Sequence, residues 1–393
     1  MGDERQITLH LGSHKTGTTS IQRALFLSKP LLKSQNISLF NFELDGTERE
    51  NGNALPWVNF ERDGRIEGSI HPELASELGK MPGHVIISAE HFSWIFDPQI
   101  IQSFYDQLKE NFDRIRLIVY LRRQDRQAIS HYQQGSKKGG RPAFTYYEGS
   151  ARALPEYKQH FQHYLNYHQK IGRWADVFGD ENISIRVFEK EQLVEGDAVR
   201  DFFRAAGILG APPSSRENKS DGFQRTKIGH LMRKVGILGG LYTLLRESLD
   251  NTGKLMPARK EAEAFYSHFR ESNLLLNSRF KVNIAPHIFA DDFDMYPAEA
   301  EDVWTEDSAN QAIKNLLTGI ASLSVLTQPE VDRLQISAMN LADVDAERAR
   351  ELVEVISKYR PGFSIDWEAV PVPAWRLFLR RVRNRLTRIL RAH

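Results

Sequence analysis

Short apolar runs alternate along this chain with longer stretches in which apolar residues return every three or four positions. That alternation predicts an α/β protein with a central parallel sheet. The expected strands are "ITLHLG", "HVIISAE", "IRLIVYLRR" and "ISIRVFEKEQL". Between them, "TTSIQRALFLSKPLLKSQ", "DPQIIQSFYDQLKENF" and "YKQHFQHYLNYHQKIGRWADVFG" carry the helical period. The first of these helices opens on threonines and a serine, residues suited to a helix start. Residues 43–68 turn polar and glycine-containing, which predicts an irregular excursion, and "APPSSRENKSDG" after Gly210 is loop chemistry.

The C-terminal third is less regular. "DDFDMYPAEAEDVWTED", residues 291–307, holds eight acids and no base, and predicts a solvated loop rather than a metal site. Residues 308–358 read as helices. The end of the chain reverses the charge: "AWRLFLRRVRNRLTRILRAH" has seven arginines and no acid, so the rest of the chain is net acidic. As a helix it would align Trp375, Phe378, Leu379, Val382, Leu386, Ile389 and Leu390 on one stripe with arginines around the remainder. Such a helix can pack on the protein's own body, dock a partner, bind the acidic 291–307 segment, or lie on an anionic membrane surface. The expected organisation is one domain over 1–300, a helical extension over 301–360, and a basic amphipathic tail over 361–393.

Composition narrows the chemistry by exclusion. The absence of cysteine removes disulfides, thiolate zinc sites and cysteine nucleophiles. With 52 Lys and Arg against 51 Asp and Glu, there is no global field toward nucleic acid, and none is expected as a partner. The chain enters its first strand without a signal-peptide pattern, and no segment approaches ~20 uninterrupted apolar residues. A cytoplasmic protein is expected, with the 374–393 tail as its means of peripheral contact with the inner membrane surface.

The chemistry concentrates in "LHLGSHKTGTTSIQ", Leu9 to Gln22. An apolar strand, a glycine-punctuated turn and a helix opening on hydroxyl residues make an anion site, because the first N–H groups of a helix point outward and the helix dipole adds positive charge there. Gly12 and Gly17 let the backbone close around an oxyanion, and Thr18, Thr19 and Ser20 can add hydroxyl donors. The spacing from Gly12 to Gly17 is that of G-x-x-x-x-G-K-[ST], the nucleotide-triphosphatase loop, but the residue after Gly17 is Thr18 and the lysine is Lys15. The strand "LIVYLRR" ends in arginines where such an enzyme would place a metal-binding acid. A loop served by cations and backbone amides, without an obligatory metal, follows.

These residues resemble a family. "HKTGTTS" is similar to the 5′-phosphosulfate loop of the sulfotransferases that use 3′-phosphoadenosine 5′-phosphosulfate (PAPS), whose usual form is a lysine or arginine, one residue, then Gly-Thr-Thr. The resemblance assigns Gly12, Ser13, His14, Lys15, Thr16, Gly17, Thr18, Thr19 and Ser20 to the cofactor. In the same family a strand-end arginine and a serine on the next helix reach the 3′-phosphate. Arg122 and Ser130, eight residues apart in "LIVYLRRQDRQAISHYQQ", fall on those two positions. An arginine fork suits a phosphate independently of the likeness. Arg123 and Arg126 carry no such assignment. "ENKSDG" resembles the loop that approaches the nucleotide from the far side, through Asn218, Lys219 and Ser220. Tyr164 to Ile208 is similar to the segment that completes the sheet in bacterial carbohydrate-type members. The likeness spans about residues 5 to 300.

What the resemblance implies is sulfuryl transfer from PAPS, with no metal, to a hydroxyl or amine of a glycan, glycolipid or related metabolite. Lys15 would neutralise charge on the bridging oxygen of the leaving phosphate. The base would stand past a neighbouring strand end, where "VIISAEHFSW" places Glu90 and His91. The family uses a glutamate or a histidine there; "SAE" resembles the glutamate form, and His91 is the alternative on its ordinary pKa near 6.5. The remaining histidines, such as His10, His14, His131 and His160, read as structural or surface residues, with His14 beside Lys15 also a candidate for substrate contact. Two other readings stand against this one: a P-loop kinase or nucleotide triphosphatase, and a membrane-associated nucleotide-binding protein without chemistry.

Overall fold

The computed structural model describes residues 4–50, 57–59, 66–137, 139–148, 152–213 and 221–324, with five further positions between 349 and 356. Asn218, Lys219, Ser220, most of the predicted helical extension and the whole basic tail lie outside the described residues. The chain forms two compact units, Met1–Ala309 and Asn310–His393.

Among the described residues seven strands run in chain order: β1 (Gln6–His10), β2 (Ile37–Phe40), β3 (Val58–Asn59), β4 (Ser69–Ile70), β5 (His84–Ser88), β6 (Arg114–Leu121) and β7 (Ile183–Val187). Five of them make one sheet in the order β2-β5-β1-β6-β7, and every pairing in it is parallel. The antiparallel pair β3 and β4 stands apart, β3 inside the irregular excursion expected over residues 43–68 and β4 just past its end. The four expected strands are all in the large sheet; β2, "ISLF", was not expected, being too brief to show a period of its own.

The first six helices are α1 (Thr18–Leu27), α2 (Lys29–Ser34), α3 (Leu74–Gly79), α4 (Pro98–Lys109), α5 (Gln124–Gln134) and α6 (Arg141–Tyr147). They are followed by α7 (Gln162–Leu165), α8 (Tyr167–Phe178), α9 (Ala198–Ala206), α10 (Phe223–Lys234), α11 (Gly239–Glu247), α12 (Arg259–Ser267) and α13 (Arg270–Phe280). The last described helix, α14 (Glu306–Ser324), begins at the end of the first unit and forms the start of the second.

Strand periodicity sorts the core into two faces. Ile7, Leu9, Val85, Ile87, Leu117 and Val119 point to one side, where Phe104 of α4 and Ile171 and Trp174 of α8 cover them. Ile86, Ile118 and Tyr120 point to the other, against Ile21 and Leu25 of α1 and Phe202 and Phe203 of α9. Helices on both faces of a parallel sheet make the three-layer α/β architecture that the alternation of runs predicts. Helix starts are secured locally: Asp97, Asn166 and Asp197 accept backbone N–H groups at the heads of α4, α8 and α9.

The acidic run 291–307 corrects an expectation. It is not a solvated loop throughout: Phe293, Tyr296 and Asp302 are buried. The Tyr296 hydroxyl donates to Asp125 at 2.7 Å, and Asp302 accepts from Arg152 at 2.9 Å and from the Ala153 N–H. The run carries aromatic residues that fill space and an acid whose cation lies 150 residues away, information that a count of charges does not contain.

Candidate active site

The loops after β5, β1 and β6 leave the carboxyl ends of three adjacent strands, the place where open parallel sheets collect ligands. Glu90 follows β5, the Gly12–Gly17 loop follows β1, and Arg122 follows β6. The sequence-derived candidates of three separate segments are therefore neighbours because their strands are neighbours.

The loop is bound into the sheet before it turns. Leu11 and Ser13 donate their N–H groups to the carbonyls of Ile118 and Tyr120, and Ser93 Oγ donates to the Leu11 carbonyl at 2.7 Å. Gly12, Lys15 and Gly17 then adopt φ of 84°, 62° and 80°. Positive φ at three places in six residues curls the backbone into a cradle of N–H groups ahead of α1, whose N-cap is Gly17. The conformation is free for the glycines; for Lys15 it costs on the order of 1 kcal/mol, an outlier of the kind that marks functional loops. A side chain at Gly12 would also press on Glu90, its Cβ 3.1 Å from Glu90 Cα.

Hydroxyls divide between the loop and its surroundings. Thr16 Oγ1 donates to the Ser13 carbonyl at 2.7 Å, so this hydroxyl holds the loop's own shape. Thr18 Oγ1 donates to Glu90 Oε2 at 2.5 Å. Thr19 is exposed and Ser20 half-buried at the head of α1.

His14 is buried and its Nδ1 lies 2.8 Å from the hydroxyl of Tyr164. Its ring stacks on His131 at 4.7 Å, and its carbonyl accepts from Gln127 of α5 at 2.8 Å. His91 is buried, 5.9 Å from His14 between ring centroids. Burial lowers the pKa of both, and of His131, holding all three neutral. His14, Glu90 and His91 bring ligand atoms within 4.8 Å of one another, from which a metal ion could draw three ligands. Lys15 and Lys170 add positive charge beside His14, which opposes a dication there.

The cations of "LRRQDR" have separate fates. Arg123 is buried and forms a bidentate pair with Asp125 at 2.8 Å on each side, and its remaining nitrogen donates to the carbonyls of Ala290 and Asp292. It is a structural arginine. Arg126 pairs with Glu189 at 2.5 Å. Arg122 makes no ion pair among the described residues; its guanidinium lies 5.9 Å from the Phe188 ring, and its carbonyl accepts from Tyr167 at 2.7 Å. Burial lowers the pKa of Arg122 and of Lys15, and for Lys15 the nearby Lys137 pushes the same way. Ser130 lies one turn beyond Gln127 on α5, whose amide touches the loop.

Sequence reasoning missed Lys170, which is 3 % exposed. Its Nζ donates to Ser13 Oγ at 3.3 Å and lies 3.9 Å from the Tyr164 ring centroid. The available signal was its phase: in "YHQKIGRW" it shares a helix face with Tyr167, Ile171 and Trp174, where a lysine is out of place. His131 and Tyr164, also beside the loop, have no local sign at all.

The whole is an α/β fold with a strand–loop–helix turn whose first helical hydroxyl, Thr18, meets the Glu90 carboxylate. Comparison with known proteins does not make it more particular. No protein-family model matches the chain. An uncharacterized protein of Archaeoglobus fulgidus is 30% identical over 104 residues, 26% of this chain and 25% of that protein, so the chain spans about a quarter of the relative it matches. Among solved structures, a sulfotransferase from Alicyclobacillus acidocaldarius aligns at a TM-score of 0.40 with 16% identity, covering 71% of this chain and 97% of that one.

Proposed function

We propose that this protein is a sulfotransferase that moves the sulfuryl group of PAPS to a hydroxyl or amine of a glycan, glycolipid or related metabolite. One observation carries the reading: a loop with an early lysine, an arginine without an ion pair among the described residues, and a carboxylate leave three adjacent parallel strands at the same sheet edge. The loop amides and Lys15 suit the 5′-phosphosulfate, and Arg122 with Ser130 suits the 3′-phosphate. Glu90 takes the proton from the acceptor as the acceptor's oxygen or nitrogen bonds to sulfur. The sulfur–oxygen bond to the phosphate breaks, and Lys15 offsets the charge left on that oxygen. His91 is the second candidate for the base, and its neutral state at pH 7 is compatible with the role. The glycan or glycolipid acceptor rests on the likeness of "SAE" to the glycan-directed members and of Tyr164 to Ile208 to the bacterial carbohydrate-type members.

A kinase or nucleotide triphosphatase would need an acid at the β6 end to hold Mg²⁺. The acid nearest in sequence, Asp125, is buried between Arg123 and Tyr296. Thermal stabilisation by 3′-phosphoadenosine 5′-phosphate, compared with ATP and Mg²⁺, tests the reading. The nucleotide bisphosphate should raise the midpoint in a concentration-dependent way and do so less in Arg122→Ala; stabilisation by Mg-ATP alone would sink it.

No helix among the described residues is long and apolar enough to cross a membrane. Peripheral contact through residues 374–393 stays a proposal, tested by vesicle co-sedimentation of a chain ending at Val372.

A further inference from the structure

We propose that Lys170 is a positioning residue for the anionic donor, a second cation that grips the loop at Ser13 and is charged in step with occupancy of the loop. The proposal rests on the sulfotransferase reading. Three observations place it there. The ammonium is buried, and no carboxylate pairs with it among the described residues. It donates to Ser13, the residue whose N–H and carbonyl anchor the loop to Tyr120 and Thr16. It also sits over the ring of Tyr164, whose hydroxyl holds His14, so one lysine touches both supports of the loop.

A buried ammonium without a counter-ion pays the full cost of lost hydration, and here burial lowers its pKa to about 7. The titratable groups beside its contacts include His14 and Lys15 of the loop, Glu90 past β5, His131 of α5, and Tyr164 and Tyr167. The histidines are held neutral by burial and the tyrosines are pushed further from ionisation; Glu90 bears on Tyr164 and is held by Thr18, while burial alone sets the shift of Lys170. A phosphosulfate in the loop would supply a countercharge and raise the lysine's pKa. Binding would then take up protons above pH 7, and affinity would fall as pH rises from about 7 toward the raised value.

Calorimetric titration with 3′-phosphoadenosine 5′-phosphate, in buffers of different ionisation enthalpy between pH 7 and 8.5, reads both quantities. The wild type should take up protons and bind more weakly as pH rises. Lys170→Met should bind about tenfold more weakly at pH 7, with less uptake and a flatter profile; its difference from wild type separates Lys170 from Lys15. Lys170→Arg, always charged, should retain affinity with the uptake reduced as far as in Lys170→Met. Unchanged uptake and affinity in Lys170→Met would overturn the proposal alone. Absence of any binding by wild type would overturn the sulfotransferase reading and this proposal with it. Should Lys170→Met not fold, wild-type binding without proton uptake still overturns it.

Discussion

The Thr18 hydroxyl donates a 2.5 Å hydrogen bond to Oε2 of Glu90, joining the helix that follows the Gly12–Gly17 loop to the first residues past the neighbouring strand. The carboxylate is thereby oriented by the same element that would hold the donor. Glu90→Gln, which keeps size and loses basicity, should lower sulfuryl transfer by about 10²–10⁴-fold, with binding of 3′-phosphoadenosine 5′-phosphate retained. Loss of that binding with no selective loss of turnover would reassign Glu90 to loop support and leave His91 as the base.

Gly12 is fixed twice, by φ of 84° and by the 3.1 Å approach that a Cβ would make to Glu90 Cα. Gly12→Ala should cost about 1–3 kcal/mol of stability from the backbone alone, measured by urea unfolding. Nucleotide affinity should fall with it, since the cradle and Glu90 cannot both keep their places.

Arg122 and Arg123 are adjacent in sequence and opposite in consequence. Arg122→Ala should leave the unfolding midpoint nearly unchanged and weaken nucleotide affinity about 10- to 100-fold, the range for a charged hydrogen bond. Arg123→Ala leaves Asp125 buried without its cation and should destabilise by about 3–5 kcal/mol. The reverse pattern in unfolding and titration experiments would exchange the two roles.

Acid should unfold this protein early. Burial holds His10 and His230 at a pKa of about 3 and His84 at about 4, with His14 and His131 well below their ordinary value. The unfolded chain binds these protons near pH 6.5 and the folded chain does not, so stability is lost as pH falls below 6.5. Each fully buried histidine contributes about 1.4 kcal/mol per pH unit in that window. Lys170 continues the slope on the alkaline side, where stability should rise from pH 7 toward 10.5. Urea midpoints at pH 9, 7.5, 6.5, 5.5 and 4.5 check this, and a flat profile would contradict the buried neutral state.

The sequence by itself determined the α/β class, four of the five strands of the large sheet, and the loop, because hydrophobic period and glycine placement are local properties that burial on two sheet faces enforces. It also singled out Glu90 and Arg122, since a residue past a strand end lies at the ligand edge of a parallel sheet whatever the loops do. Tertiary structure decided everything that depends on partners distant in the chain. It gave both Arg123 and the Tyr296 hydroxyl to Asp125 while leaving Arg122 without an ion pair among the described residues, and it buried Phe293, Tyr296 and Asp302 in a run that reads as solvated acid. It also brought Lys170 from α8 to Ser13, 157 residues away. A charge shows its meaning only with its surroundings, because desolvation and pairing are set by atoms that the chain brings close, not by neighbours in sequence.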